Sequence, residues 1–274
     1  MTFSIVAQVG DALGVAVASK FIAVGSVVPA ARLGVGAVAT QAFAKVSYKA
    51  DVLDLLAAGS SAADALASVT GADEGRATRQ VGIVTPTGQV TYTGQECNAW
   101  AGGRTGRDAT GGYAIQGNIL VGPQVVDQME DAWLGSPHLP VGARLMHALM
   151  AGDRVGGDRR GRQSAALYVV APGAGYDSGG VLADLRVDDH PDAPTELARL
   201  LDLNDLYFGP PSNVMPLAGP LGDEVRKRLS SLGRDQADVM EALADWAGEA
   251  NYEMRLSPDG IDARVLQALR EATS

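Results

Sequence analysis

The sequence predicts an α+β protein in which two β-sheets are sandwiched between layers of helices, followed by a small helical module. Three observations predict it. Runs of strand-like segments alternate with pairs of helix-like segments rather than with single helices, which argues against a doubly wound βαβ repeat. No GxGxxG stands at a strand–helix turn and no GxxxxGK(S/T) occurs, so nucleotide-binding folds gain no support. Beyond Pro210-Pro211-Ser212-Asn213 this alternation stops and amphipathic stretches follow one another.

The elements follow in order. Phe3 to Val9 and Leu13 to Ala18 are short, rich in β-branched residues and Ala, and joined by a Gly10-Asp11 turn, so they predict a hairpin. The second strand is apolar at nearly every position, which predicts cover on both faces. A small loop with Pro29 and Arg32 follows, and Gly34 to Thr40 predicts a third buried strand. Leu53, Leu55, Leu56 and Ala57 suit a short helix ending at Gly59. Ser60 or Ser61 caps a second helix, which ends at Gly71. Gln80 to Thr85 and Gln89 to Thr93 flank a Pro86-Thr87-Gly88 turn and predict another hairpin. Gly94 to Gly111 is Gly-rich and reads as a functional loop or a loose strand pair, with Gly112 to Gln116 a strand after it. Helices are expected from Val121 to Leu134, with Pro123 in the first turn, and from Pro140 to Met150. Strands over Gln163 to Ala171 and Val181 to Val187 precede a helix capped by Asp192. Residues 1–208 therefore form the main domain. Residues 209–274 form a helical module, near the lower size limit for independent folding.

Composition narrows the function classes. A chain of 274 residues with 46% apolar residues can bury a sizeable core. The net charge of −10 argues against a general nucleic-acid or anionic-membrane binder. A single cysteine, Cys97, excludes an intramolecular disulfide and fits a reducing compartment. The apolar N-terminus lacks a basic leader, and Gln8 and Asp11 interrupt it, so it does not read as a signal peptide. No apolar run reaches about 18 residues, so no membrane span is expected. The expectation is a cytoplasmic homo-oligomer acting on a small molecule, with no nucleic acid, membrane, cofactor or metal partner.

The candidate chemistry begins at Thr2. Methionine aminopeptidases trim Met before small residues, which would leave a threonine with a free α-amine beside its hydroxyl. That pair is the minimal equipment of an N-terminal nucleophile: the hydroxyl attacks and the amine takes the proton. Ser19 and Lys20 end the strand that returns to Thr2. A lysine there would hold the amine neutral by like-charge proximity. Arg32 is the alternative basic residue for that role, and a solvated strand end accounts for Lys20 as well. Gln41 follows a strand end and could bind substrate. Gln116, Gly117 and Asn118 read as a Gly turn whose N–H groups and amide could form an oxyanion hole, or as a capped helix start. Asp158 and Arg162 belong to a charged stretch that could bind a substrate carboxylate, or form surface ion pairs. Asp188-Asp189-His190 looks like an acid/base or metal cluster, but three histidines without HxH or HxxxH spacing support no metal site.

Several stretches also carry a family resemblance: Thr2-Phe3-Ser4-Ile5-Val6-Ala7, Gly34 to Ala42, Arg79-Gln80-Val81-Gly82-Ile83-Val84, Gln116-Gly117-Asn118-Ile119-Leu120, Gly157 to Ala166 and Asp184 to His190. Over the first 208 residues the chain resembles the DUF1028 family of the N-terminal-nucleophile (Ntn) hydrolase superfamily. The tail resembles a peptidoglycan-binding-like module found in some relatives. The resemblance implies a four-layer αββα sandwich and cleavage of a C–N bond in an amide, imide or lactam. With that fold as context, the residues read above give Thr2, Lys20 and Asn118 as the candidate catalytic set. The candidate substrate-binding set is Ser19, Arg32, Gln41, Gln116, Gly117, Asp158 and Arg162, with Arg32 the alternative to Lys20 beside Thr2. The alternative is a non-catalytic binding or scaffold protein that keeps the fold. Two stretches depart from the family pattern: Gly103 stands where many relatives carry histidine, and Ala44 to Lys49 replaces an Asn-Pro before Tyr-Gly.

Overall fold

The structure, a computed structural model, describes residues 2–274. β1 (Thr2–Val9) and β2 (Ala12–Ser19) pair antiparallel from Val9↔Ala12 to Phe3↔Ala18. Gly10 turns the chain at φ +56, where a residue without Cβ meets no steric cost. The stretch expected as a loop contains α1 (Val24–Val27) and the edge strand β3 (Pro29–Arg32), which pairs with β4 (Gly36–Ala42). Four-residue elements carry too few positions to show a period, so the sequence did not reveal them.

α2 (Tyr48–Ala57) and α3 (Ala62–Gly71) follow, and the Ser61 hydroxyl caps α3 by accepting the Asp64 N–H at 3.1 Å. β5 (Arg79–Val84) and β6 (Gln89–Thr93) form the expected hairpin. The Gly-rich stretch contains β7 (Gly102–Arg107), paired with β8 (Gly112–Asn118), which runs two residues beyond the expected end. α4 (Gln124–Leu134) starts later than Val121 because Pro123 stands at its cap and the Val121 N–H is bound by the Gly157 carbonyl at 3.2 Å. α5 (Val141–Arg154), β9 (Ser164–Val170), β10 (Val181–Val187) and α6 (Ala193–Phe208) complete the order.

The strands form two antiparallel sheets, one ordered β10-β9-β2-β1-β8-β7 and the other β3-β4-β5-β6. Period-2 alternation sends successive side chains of β1 to opposite faces. Phe3, Ile5 and Ala7 pack with Met129, Trp133, Leu145 and Leu149 of α4 and α5. Val6, with Val15 and Val17 of β2, packs against Ala37, Ala39 and Val84 of the second sheet. The other face of that sheet, with Val38, Val81 and Ile83, packs on Val52, Leu56, Leu66 and Val69 of α2 and α3. The chain is thus a mixed α+β protein of antiparallel sheets and helices. No helix among the described residues is long and apolar enough to cross a membrane.

The most deeply buried charged side chain of this unit among the described residues belongs to α5. Arg144 of α5 is fully buried, and its guanidinium sits 3.8 Å from the Trp133 ring centroid. It donates to the Trp133 carbonyl at 3.0 Å, to Thr110 Oγ1 at 2.7 Å and to Asp108 Oδ2 at 2.6 Å. Burial alone would raise the Asp108 pKa, but the hydrogen bonds from Thr110 and Arg144 outweigh it and bring it down to about 2. The folded value lies below the unfolded one, so this contribution is present above pH ~4 and is lost as the pH falls towards ~2. It is worth about 2 kcal/mol. Acid unfolding of Asp108→Asn, followed by circular dichroism, is expected to lose this component of the slope between pH ~4 and ~2.

The chain divides into two compact units, Met1–Leu201 and Asp202–Ser274, with the division falling within α6. In the second unit α7 (Gly219–Ser231), α8 (Val239–Glu249) and α9 (Ala263–Ala272) enclose Val225, Leu229, Leu243, Trp246, Val265 and Leu269. Arg255, 2% exposed, pairs there with the buried Asp262 at 3.0 Å and with Asp205 at 2.8 Å.

Candidate active site at the head of the first strand

β1 lies inside the six-stranded sheet, with β2 on one side and β8 on the other, so its first residue is flanked by both neighbours. The register sets Thr2 opposite Asn118, and Phe3↔Ala18 brings the Ser19 end of β2 alongside Thr2. Thr2 is 5% exposed and its Oγ1 lies 3.1 Å from Ser19 Oγ. The Thr2 carbonyl accepts from Gln41 Nε2 at 3.2 Å and from Asn118 Nδ2 at 3.4 Å. Gln41 comes from β4, so the two sheets meet through side chains at this point.

Behind Thr2 these amides form a buried polar seam. Gln80 of β5, with no exposed surface, is its hub. Gln80 Oε1 accepts from Gln41 Nε2 at 2.8 Å and from Asn118 Nδ2 at 2.9 Å. Its Nε2 donates to Thr93 Oγ1, to the Gly102 carbonyl and to the Gly117 carbonyl at 2.9, 3.2 and 2.8 Å. Ser4 Oγ donates to Gln41 Oε1 at 2.7 Å and accepts from Gln116 Nε2 at 2.6 Å. Thr91 Oγ1 lies 3.2 Å from Gln116 Oε1. A seam this satisfied avoids the penalty of buried unpaired amides and holds Thr2 rigidly.

Two cavities flank the Thr2–Ser19 pair. One of about 330 Å³ is lined by Thr2, Gln41 and Arg79 together with apolar side chains. The other, of about 290 Å³, is lined by Ser19, Asp153, Asp158 and Arg162 among others.

The remaining predicted residues fall in several places. Gln116, Gly117 and Asn118 are strand, not a Gly turn, because β8 is laddered to β7 up to Gly117 and to β1 up to Asn118. Asn118 Nδ2 donates to the Thr2 carbonyl and to Gln80 Oε1. The Lys20 ammonium is exposed and donates to the Arg162 carbonyl at 3.3 Å. Lys20 lies one residue past the end of β2, where the Asp158 carboxylate holds its backbone N–H. Arg32 pairs with Asp54 at 2.8 Å, and its register partner is Gly36, five residues before Gln41 on β4. Asp158 is buried and accepts the Lys20 N–H at 2.8 Å, tying the 156–161 loop to the end of β2. Arg162 is held in a fork by Asp153, both bonds at 2.8 Å, and this pairing raises its pKa further. The trimming of Met1 concerns a residue outside those described.

Cys97 donates to the Arg79 carbonyl, and burial pushes its thiol pKa up, which disfavours a thiolate. His190 Nδ1 accepts the Asp192 N–H at 3.1 Å. No group of three or more metal-ligating side chains occurs among the described residues. At Gly103 a Cβ would come 2.7 Å from the Ile115 carbonyl, so the strand pair as it stands leaves no room there for a side chain.

Sequence reasoning missed Gln80, Ser4 and Arg79 as members of the site. A signal existed for Gln80: a glutamine inside a strand otherwise read as buried asks for internal partners. Nothing local marked Arg79, which reaches the cavity only through the β4–β5 pairing, Ala42↔Arg79.

Fold and seam together define a mixed α+β protein with a fixed hydroxyl at a cavity between two antiparallel sheets. The chain belongs to the DUF1028 family, described as a family of unknown function, which matches residues 2–197. It is similar to the crystal structure of a Silicibacter pomeroyi protein of the same family, at 29% identity and a TM-score of 0.66. That likeness covers 81% of this chain and 92% of the other. No curated protein matches the sequence.

Proposed function

We propose that the chain is an Ntn-type amidohydrolase on a four-layer αββα sandwich, with Thr2 as nucleophile. The observation that carries the reading is the Thr2 hydroxyl, set at a cavity, 3.1 Å from Ser19 Oγ, with its backbone held by two side-chain amides. The three apolar clusters between successive helix and sheet layers support the fold assignment.

In the proposed reaction Thr2 Oγ1 attacks the carbonyl carbon of an amide, and the hydroxyl proton passes to the free α-amine. The tetrahedral adduct collapses, the C–N bond breaks, and the leaving amine takes that proton. Water then hydrolyses the Thr2 ester, releasing the carboxylic acid and restoring the hydroxyl. Gln41, Asn118 and Gln80 act as positioning residues, and Ser19 orients the nucleophile's hydroxyl.

One observation favours a second reading, a binding protein that keeps the fold: the Lys20 ammonium bonds the Arg162 carbonyl and Arg32 pairs with Asp54, and neither side chain bonds Thr2 among the described residues. Intact mass separates the two. The hydrolase reading expects the mature chain to begin at Thr2, and retention of Met1 in an isolated, fully folded sample would remove the free amine and favour the binding protein.

A further inference from the structure

The cavity beside Thr2 has a polarity of its own. Val24, Val27 and Val28 form one wall and Ala42 and Ala44 another, with Phe21 and Phe43 at the rim, 49% and 64% exposed. Three polar residues line this apolar space with them: Thr2, Gln41 and Arg79. Gln41 is already spent on the seam. Arg79 is not spent. Its Nε binds Asp73 Oδ2 at 2.9 Å and its Nη1 binds the Phe43 carbonyl, while Nη2 makes no hydrogen bond among the described residues.

The local charge balance is positive. Asp73 is also 3.6 Å from Lys45, so two cations share one carboxylate. The Arg79 hydrogen bond, with that from Tyr48, holds Asp73 well below the usual carboxylate range, so it stays ionised. In a chain with net charge −10, this cavity is bordered by a cluster of two cations and one carboxylate, whose surplus positive charge includes an arginine, the side chain suited to carboxylates. The volume of about 330 Å³ equals about 11 waters, room for a molecule of about a dozen non-hydrogen atoms.

We infer that the cavity beside Thr2 binds a small carboxylate with a short apolar body, anchored by Arg79. The proposal rests on the hydrolase reading for its consequence: the amide that Thr2 cleaves carries a carboxylate separated from the scissile bond by that body.

Hexanoate and its neutral isostere hexanamide test it, titrated calorimetrically into the full chain. Hexanoate is expected to bind one site, and hexanamide at least about tenfold more weakly, since the charge-assisted bond is lost. Arg79→Gln is expected to abolish the difference. Because Arg79 also braces Asp73, a rim pair serves as the second test: Phe43→Asp is expected to weaken hexanoate about fivefold relative to Phe43→Asn. Equal binding of hexanoate and hexanamide, or equal binding by the two rim variants, overturns the proposal. Charge-selective binding without amidase activity would sink the hydrolase reading and keep the site. Amidase activity without charge-selective binding would do the reverse.

Discussion

Thr2→Ala is expected to lower amide turnover by at least about 10³-fold while leaving the fold unchanged. The substitution removes the attacking oxygen and keeps the backbone carbonyl that Gln41 and Asn118 hold. It also keeps the small side chain that permits removal of Met1, so the processed terminus is the same in both proteins. Thr2→Ser keeps the hydroxyl, so it is expected to retain a measurable fraction of activity; the lost methyl leaves the hydroxyl freer to rotate. The measurement is product release from a panel of small amides, imides and lactams, with thermal melts of each variant as the control for folding. A compound processed equally by wild type and Thr2→Ala would remove Thr2 from the mechanism and leave the cavity without its assigned nucleophile.

Gln80→Leu is expected to destabilise the chain by about 3–5 kcal/mol. Leucine is close in volume, so the loss is not mainly one of packing. It comes from Gln41 and Asn118, which lose the oxygen they share, and from Thr93, Gly102 and Gly117, which lose a donor inside the core. Each buried group left unpaired costs about 1–3 kcal/mol. Gln80→Glu keeps the shared acceptor and removes the donating side, so it is expected to weaken the fold while leaving the Gln41 and Asn118 bonds in place. Urea unfolding reads both variants. A Gln80→Leu effect below about 1 kcal/mol would mean that the seam relaxes around the change, and that the rigidity assigned to Thr2 has another source.

The two predictions depend on different parts of what was legible. The opening hairpin could be read because it is local: two β-branched runs about one Gly turn force their own register, and that register brings Ser19 beside Thr2. Lys20 stands one residue beyond that strand, and its ammonium bonds the Arg162 carbonyl. The helices α2, α3, α7, α8 and α9 could be read from apolar spacing and from caps such as Ser61. Gln116 could be read as strand but Gly117 and Asn118 could not, because Gly117 looks like a turn in isolation and only its pairing with both β1 and β7 makes it strand. Short α1 and β3 were invisible for want of length.

By itself the sequence determined the alternation of strands and paired helices, the change of pattern beyond residue 209, and a threonine at the head of a buried strand. Those features follow from spacing along the chain, which the hydrophobic effect converts directly into faces. Only the tertiary structure decided the partners of Thr2. Gln41, Gln80 and Asn118 lie 39, 78 and 116 residues away from it, and they converge because each is the polar position of a strand whose neighbours had to be buried. Arg79 reaches the Thr2 cavity for the same reason, as the residue paired with Ala42 where β4 leaves the sheet. Long-range pairing of two sheets carries no local period, so the seam and the charge beside it became visible only once the sheets were packed.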